Sequence, residues 1–183
     1  MNMSIIQTKL PYAEALHLAE SVLADLAPAC QRIEIAGSIR RQKSEVGDIE
    51  IVAIPLRLSD LEQTPLFGRD DSLDSALDKV VFTGGWRLIK NGSLYKQYDI
   101  GPCNLDLFLT TREKWGVIFT LRTGPADFSR NLVTSKRMGG LCPSYLRVKD
   151  GRVWNETGAL STPEEEDVFR VMNIRWIPPE KRI

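Results

Sequence analysis

The feature of this sequence that most limits its possible folds is an apolar run that begins with two acids. Residues 49–54 read Ile-Glu-Ile-Val-Ala-Ile, a composition typical of a largely buried β-strand. Asp48 and Glu50 are separated by one residue, so a strand directs both carboxylates to one face, roughly 6.5–7 Å apart along the backbone. Carboxylates placed in this way repel each other unless a cation neutralises them. The sequence therefore predicts a buried strand with an acidic cluster at one end.

A third acid stands in a second strand-like segment. Residues 104–110 read Asn-Leu-Asp-Leu-Phe-Leu-Thr, and strand alternation directs Asp106 and Phe108 to one face and the leucines to the other. On a neighbouring strand, Asp106 completes a set of oxygen ligands suited to magnesium rather than zinc. Two such ions about 3.5–4 Å apart activate an attacking hydroxyl and stabilise a leaving pyrophosphate. We therefore expect Asp48, Glu50 and Asp106 to be metal ligands and catalytic residues.

The polar segment between Gly37 and Gly47 predicts a turn that binds phosphate. Gly37 allows close backbone approach, Ser38 offers a hydroxyl and a backbone N–H, and Arg41 can pair with phosphate oxygens. Gly47 leads into the acidic strand without a side chain that would block a nucleotide. Taken singly, an Asp-x-Glu pair is commonly a solvated strand edge and a Gly-Ser pair is commonly a turn. Their occurrence in this order and at this spacing is what favours a nucleoside triphosphate site.

The remaining pattern predicts an α+β fold. Apolar residues recur at helical spacing after Pro11 and again in residues 72–82, and Asn91-Gly92 predicts the two-residue turn of a hairpin. Near residue 112 the pattern changes from strands to helices, so we expect two subdomains, residues 1–112 and 113–183. Further expected elements are a strand at residues 32–36, helices at 115–121 and 126–136, a hairpin of 145–148 and 152–154 around Asp150-Gly151, and a last helix capped by Thr162 with Pro163 and Glu165 in its first turn.

Composition narrows the class of protein. The 24 basic and 24 acidic side chains cancel, which argues against a strongly basic coat protein, although residues 122–137 are locally basic and residues 60–78 locally acidic. No apolar run approaches the length of a membrane span and no signal-peptide pattern is evident, so we expect a cytoplasmic protein. The three cysteines lack CxxC spacing and are predicted to be buried, reduced thiols: Cys30, Cys103 and Cys142.

These motifs resemble a known superfamily. The segment A-G-S-I-R-R-x6-D-I-E is similar to the Gly-Ser … Asp-x-Asp signature of nucleotidyltransferases in the form found in family X DNA polymerases. The N-L-D-L-F-L strand, the turn at Thr123-Gly124 and the closing W-I-P-P-E-K-R extend the resemblance from about Leu10 to Arg182. It implies a minimal member with a palm, built on a mixed, mostly antiparallel sheet flanked by helices, and a small α+β thumb. A lyase-type domain and helix-hairpin-helix fingers have no counterpart in the chain.

The resemblance also implies residue roles. Asp48 and Glu50 bind both magnesium ions, for which manganese can substitute, and Asp106 binds the catalytic one near the primer 3′-hydroxyl. Ser38 and Arg41, with Gly37 and Gly47, hold the β- and γ-phosphates of the nucleoside triphosphate. The expected sugar and base contacts are Leu121, Arg122, Thr123 and Gly124, and the expected DNA contacts are Ser129, Arg130, Lys136 and Arg137. Lys181 and Arg182 are general candidates for contacts with phosphate. Trp115 is expected to pack between the subdomains, and Trp154 and Trp176 are expected to lie in the thumb core.

The implied activity is gap-filling DNA synthesis by a monomer, on a primer–template or gapped DNA. Glu50 stands where polymerases usually have Asp, which implies a different metal geometry. Leu121 and Arg122 replace an aromatic pair, so ribonucleotides are possible substrates. Ser129, Arg130 and Val133 stand where the family has long polar groups that probe the template. Two alternatives remain open: nucleotide transfer to an RNA end, small molecule or protein, and a non-catalytic module that binds nucleic acid.

Overall fold

The structure is a computed structural model that describes residues 9–56 and 73–183. It divides into two compact units, Met1–Leu109 and Thr110–Ile183, whereas the sequence interpretation placed the division after residue 112. Most of the acidic stretch at residues 60–78, together with residue 72 of the expected second helix, lies outside the described residues.

The first unit is built on a five-stranded sheet. Its strand order is β2-β4-β7-β6-β5, and the β4–β7 pair is parallel while the other three pairs are antiparallel. The expected mixed, mostly antiparallel sheet is therefore confirmed. The strands are β2 Cys30–Ile35, β4 Asp48–Pro55, β5 Arg87–Asn91, β6 Tyr95–Asp99 and β7 Asn104–Leu109, and a separate two-stranded ladder joins β1 Leu10–Pro11 to β3 Glu45–Val46.

Helices cover the apolar surface of this sheet. α1 (Tyr12–Leu26) and α3 (Leu73–Gly84) present buried Ala, Val and Leu side chains at helical spacing, as predicted. These side chains pack with the central strands in one apolar cluster that includes Ile49, Ile51, Leu105 and Leu107. The alternation in β4 and β7 thus buries one face of each strand and leaves the acidic face partly exposed.

The second unit has its own core. It contains helices α4 (Trp115–Thr123), α5 (Ala126–Val133) and α6 (Glu165–Val171), and the hairpin of β8 (Arg147–Lys149) and β9 (Arg152–Trp154). Its core cluster includes Val117, Phe128, Leu132, Val153 and Phe169. The expected Asp150-Gly151 turn is confirmed, since both residues have positive φ.

Several local expectations are wrong, because hydrogen bonds between near neighbours set the bounds of these elements. The polar segment contains a four-residue helical turn, α2 (Gly37–Arg40). The hairpin loop is longer than Asn91-Gly92, because Asn91 pairs with Lys96. Helix α5 ends at Val133 rather than near residue 136, because Ser135 caps a separate 3-10 turn.

The last helix is capped by Glu164 and Asp167 rather than by Thr162, and it begins at Glu165. Trp115 is buried as expected, but Trp154 is only half-buried and Trp176 is 38% exposed, so neither of the latter belongs to the buried core. Cys103 and Cys142 are buried free thiols, while Cys30 is half-buried. Within residues 9–56 and 73–183, no helix is long and apolar enough to cross a membrane.

Candidate active site

The three predicted carboxylates lie on two adjacent strands of the sheet. In the parallel β4–β7 pair, Glu50 lies directly opposite Asp106, and Asp48 lies opposite Asn104. Neighbouring strands are about 4.8 Å apart, and residues two apart on a strand share a face. All three acids are half-buried, while the residues that alternate with them, Ile49 and Leu105, are fully buried. The backbone therefore brings together the three acids on one partly exposed face.

Asp106 is held in place by donors from the next strand. The Tyr95 hydroxyl donates to Asp106 Oδ1 at 2.8 Å, and Gln97 Nε2 donates to the same oxygen at 2.9 Å. Gln97 lies directly opposite Asp106 in the β6–β7 ladder. The ring of Tyr95 stacks on Phe108 with centroids 5.1 Å apart. The sheet thus fixes one oxygen of Asp106 through two neutral donors.

Glu50 packs against the turn that precedes its strand. Gly37 has φ +60°, and a Cβ at this position would lie 2.6 Å from Glu50 Cδ and 2.9 Å from Glu50 Cβ. The backbone N–H of Ala36 donates to the carbonyl of Glu50 at 2.8 Å. Because Gly37 is both left-handed and in contact with Glu50, only glycine fits here without displacing the carboxylate.

The donor chemistry fits magnesium, although the side chains are not gathered into a cage. Three carboxylates on one face supply only oxygen, the ligand type that Mg²⁺ prefers. Across residues 9–56 and 73–183, no group of three or more His, Cys, Asp or Glu side chains is arranged to hold a metal ion. The reason is visible in the contacts: the carboxylate of Glu50 lies against Gly37, whereas that of Asp106 is turned toward Tyr95 and Gln97. Like charges on adjacent strands favour such divergence.

The predicted phosphate residues surround the same end of β4. Ser38 is half-buried in α2, and its carbonyl accepts a hydrogen bond from Lys43 N. Arg41 follows α2 directly, and its backbone N–H donates to the Gly37 carbonyl at 3.1 Å. A Cβ at Gly47 would meet no heavy atom within 4 Å, so the space beside the start of β4 is open.

A buried thiol adjoins this cluster. Burial raises the pKa of Cys103 to about 11, and the nearby Asp48 carboxylate contributes to the same shift. The thiol is therefore protonated at neutral pH in the metal-free protein.

The predicted sugar and base contacts lie in the second unit, where α4 ends. Leu121 is half-buried, Arg122 is exposed, and Thr123 is fully buried, so its side chain has no surface to offer a ligand. The Ser129 hydroxyl donates to the Leu121 carbonyl at 2.7 Å and lies 3.4 Å from the Gly124 carbonyl. Ser129, predicted to contact DNA, is thus engaged in holding this turn.

The predicted basic DNA contacts are exposed, whereas the general phosphate candidate Arg182 is not. Lys136 and Arg137 lie in an exposed 3-10 turn, and Arg130 forms a surface ion pair with Asp127 at 3.0 Å. Arg182 is completely buried and pairs with Glu165 at 2.7 Å. The interpretation of Arg182 as a phosphate contact is therefore wrong, because its guanidinium is a core group.

Tyr95 and Gln97 are the site residues that sequence reasoning missed. Both residues follow the expected hairpin turn at Asn91-Gly92, and their spacing of two residues places them on one face of a strand. What the sequence did not reveal is that this strand lies beside β7 with Gln97 opposite Asp106. The pairing depends on sheet order, which no local pattern encodes.

Comparison with known proteins does not assign the chain to a family. No protein-family model matches the chain, and no curated protein matches it.

Proposed function

We propose that the chain is a nucleotidyltransferase, and that it extends a DNA primer by gap-filling synthesis. The observation that carries the proposal is the register of β4 and β7, which sets Glu50 opposite Asp106 with Asp48 on the same face. Three carboxylates on one face suit the binding of divalent cations that carry a triphosphate.

Each residue in the proposal has a distinct task. Asp48 and Glu50 would hold two magnesium ions, and Asp106 would hold one of them. When bound, the ions neutralise the triphosphate and lower the pKa of the hydroxyl that attacks. The sheet already sets the backbone positions of the three acids, and Tyr95 and Gln97 hold Oδ1 of Asp106, so its Oδ2 is the oxygen proposed to bind the cation. The carboxylate oxygens then orient the reacting groups, which is the main source of catalysis in phosphoryl transfer.

The turn before β4 supports the choice of a nucleotide as substrate. Gly37 places backbone against Glu50, and Ser38 and Arg41 lie at the same end of the strand, where a hydroxyl and a guanidinium can contact phosphate oxygens. The open space beside Gly47 leaves room for the triphosphate. A phosphate-binding turn next to a cluster of metal ligands favours nucleotidyl transfer over simple metal storage.

The proposal is tested by incorporation of labelled nucleotides. We expect magnesium-dependent extension of a primer on a one-nucleotide gap, and we expect Asp106→Asn to reduce it by more than about a hundredfold, since even residues behind metal ligands cost up to that much. Glu50→Asp keeps the charge and should retain part of the activity, whereas Glu50→Gln should not. Extension that persists unchanged in Asp106→Asn protein contradicts the assignment.

The same assay separates the second candidate, transfer to an RNA end, a small molecule or a protein. The Asp-x-Glu pair at Asp48 and Glu50 favours this candidate, because polymerases usually carry a second Asp. Primer alone, primer–template and gapped DNA, each with deoxy- or ribonucleotides, are compared with these other acceptors. Label that appears only on a non-DNA acceptor, and is lost in Asp106→Asn, selects the second candidate.

A further inference from the structure

The second unit contains a cleft that the proposed reaction does not use. It has a volume of about 310 Å³, and Arg112, Arg152, Ser161 and Thr162 are among the residues that line it. Arg112 begins the 3-10 turn before α4, and Arg152 begins β9. The volume is at the lower end of the range of small-molecule pockets. None of the lining residues belongs to the metal and nucleotide site described above.

The charge balance of this cleft is positive. In the part of the chain that the structure describes, neither Arg112 nor Arg152 forms an ion pair or a side-chain hydrogen bond. Glu113 also lines the cleft, and it accepts a hydrogen bond from the Thr111 hydroxyl at 2.6 Å. Arg152 is half-buried, and a guanidinium that is partly removed from water is stabilised by an anion.

Two hydroxyls add donors beside the arginines. Thr162 is 1% exposed, and its Oγ1 is buried with no hydrogen-bond partner in residues 9–56 and 73–183. Leaving such a group unsatisfied is unfavourable, because it loses its hydrogen bonds to water without replacement. Ser161, the preceding residue, is exposed at the same cleft. A ligand with several acceptor oxygens would satisfy both hydroxyls and both guanidiniums.

We propose that this cleft binds a terminal phosphate group, either in a small anion such as phosphate or pyrophosphate or at the end of a nucleic-acid strand. A terminal phosphate carries a charge of about −1.5 to −2 and three strong acceptor oxygens, which matches two guanidiniums and two hydroxyls. Planar guanidiniums pair with phosphate through two parallel hydrogen bonds. The cleft is wider than one phosphate group, so it also admits part of the molecule to which the phosphate is attached.

The test is calorimetry in a metal-free buffer with EDTA. Without divalent cations the three carboxylates of the first unit repel anions, so any binding of phosphate or pyrophosphate reports another site. We expect one equivalent to bind, and we expect Arg112→Ala and Arg152→Ala each to weaken binding about tenfold, the typical effect of losing a charge-assisted hydrogen bond. Arg175→Ala removes an exposed arginine of the same unit outside the cleft and should change nothing.

The contribution of the Thr162 hydroxyl to anion binding is tested by Thr162→Val, which keeps the side-chain volume and removes the hydrogen-bond donor. We expect weaker binding together with an unchanged or raised melting temperature, because the unsatisfied hydroxyl is gone. A pair of oligonucleotides, with and without a 5′-phosphate, identifies the source. Binding of the phosphorylated strand alone indicates a strand end, and binding of pyrophosphate alone indicates a small anion.

Three results would overturn the proposal. In the first, the unmodified protein binds none of the probes. In the second, the Arg152→Ala and unmodified proteins bind the anion equally well. In the third, the two oligonucleotides bind equally well and free phosphate does not bind. None of these results depends on nucleotidyl transfer. Asp106→Asn protein should bind the anion as the unmodified protein does, so failure of one proposal is distinguishable from failure of the other.

Discussion

At the residue scale, the most informative contact is the one that fixes Asp106. Two neutral donors, Tyr95 and Gln97, converge on Asp106 Oδ1 and leave Oδ2 available to a cation. Residues that orient a metal ligand in this way are typically worth ten- to a hundredfold in affinity or activity. Tyr95 is therefore a positioning residue in the proposed reaction rather than a catalytic one.

Tyr95→Phe tests this role. The substitution keeps the ring that stacks on Phe108 and removes only the hydroxyl that donates to Asp106. We expect kcat to fall roughly ten- to a hundredfold with little change in KM for the nucleotide. We also expect weaker binding of Mn²⁺, measured directly by electron paramagnetic resonance.

Tyr145→Phe is the matched control. Tyr145 is 63% exposed and lies in the other unit, so loss of its hydroxyl should leave kcat and Mn²⁺ binding unchanged. If the two variants behave alike, the hydrogen bond from Tyr95 to Asp106 does not position the carboxylate.

At the element scale, the turn at α2 depends on one glycine. Gly37 has φ +60°, and a side chain there would press on Glu50. We expect Gly37→Ala to lower the free energy of unfolding by about 1–3 kcal/mol and to displace Glu50, because both the left-handed backbone and the contact are unfavourable for alanine. Chemical denaturation measures the first effect, and Mn²⁺ binding measures the second.

Gly47→Ala tests whether destabilisation comes from the specific contact at Gly37 or from any alanine placed in this segment. Gly47 lies in the same segment, but its added Cβ would meet nothing within 4 Å, so its stability should change by less than about 1 kcal/mol. Equal destabilisation of the two variants would contradict a specific role for Gly37. A loss of nucleotide binding without loss of stability in Gly47→Ala is expected if the triphosphate passes beside this residue.

The elements themselves show what the sequence could predict. The strand β4, the helix after Pro11 and the alternation around Asp106 follow from local periodicity, so their existence and exposed faces were predictable. The α2 turn was not, because it is fixed by backbone hydrogen bonds to Ala36 and Gly37 within a polar segment without apolar spacing. The choice of Glu164 over Thr162 as helix cap was likewise hidden, since Thr162 is buried instead.

The site was predictable only in part for the same reason. Side chains that share a strand, such as Asp48 and Glu50, are related by local geometry alone. Including Asp106 in the site required the assumption that its strand lies beside β4, and the register of β4 and β7 confirms that these strands are neighbours. Tyr95 and Gln97 required the order of the whole sheet, which depends on the burial of several strands together.

At the scale of the whole molecule, the described residues form two separate apolar cores. One cluster contains residues of the first unit, such as Leu26 and Leu107, and the other contains residues of the second unit, such as Leu132 and Met172. Two cores without shared members favour unfolding in two steps. The proposed metal site is built on the first core, and the proposed anion cleft on the second unit.

The end of the chain stabilises the second core through a buried ion pair. Arg182 Nη1 lies 2.7 Å from Glu165 Oε1, and their side chains are 0% and 3% exposed. Arg182 also donates from Nε and Nη2 to the Ile177 carbonyl and lies over the Phe128 and Phe169 rings. The guanidinium is therefore bonded on several sides within the core.

Arg182→Met tests whether the two units unfold separately. The substitution leaves the Glu165 carboxylate buried without its cation, which costs about 3–5 kcal/mol. We expect amides of α4 and α6 to lose protection in hydrogen exchange, while those of β4 and β7 keep it. The double variant Glu165→Met/Arg182→Met removes both charges and should recover most of the loss. Arg175→Met, at an exposed arginine, should leave all protection unchanged, and a uniform loss across both units in Arg182→Met would show that they unfold as one.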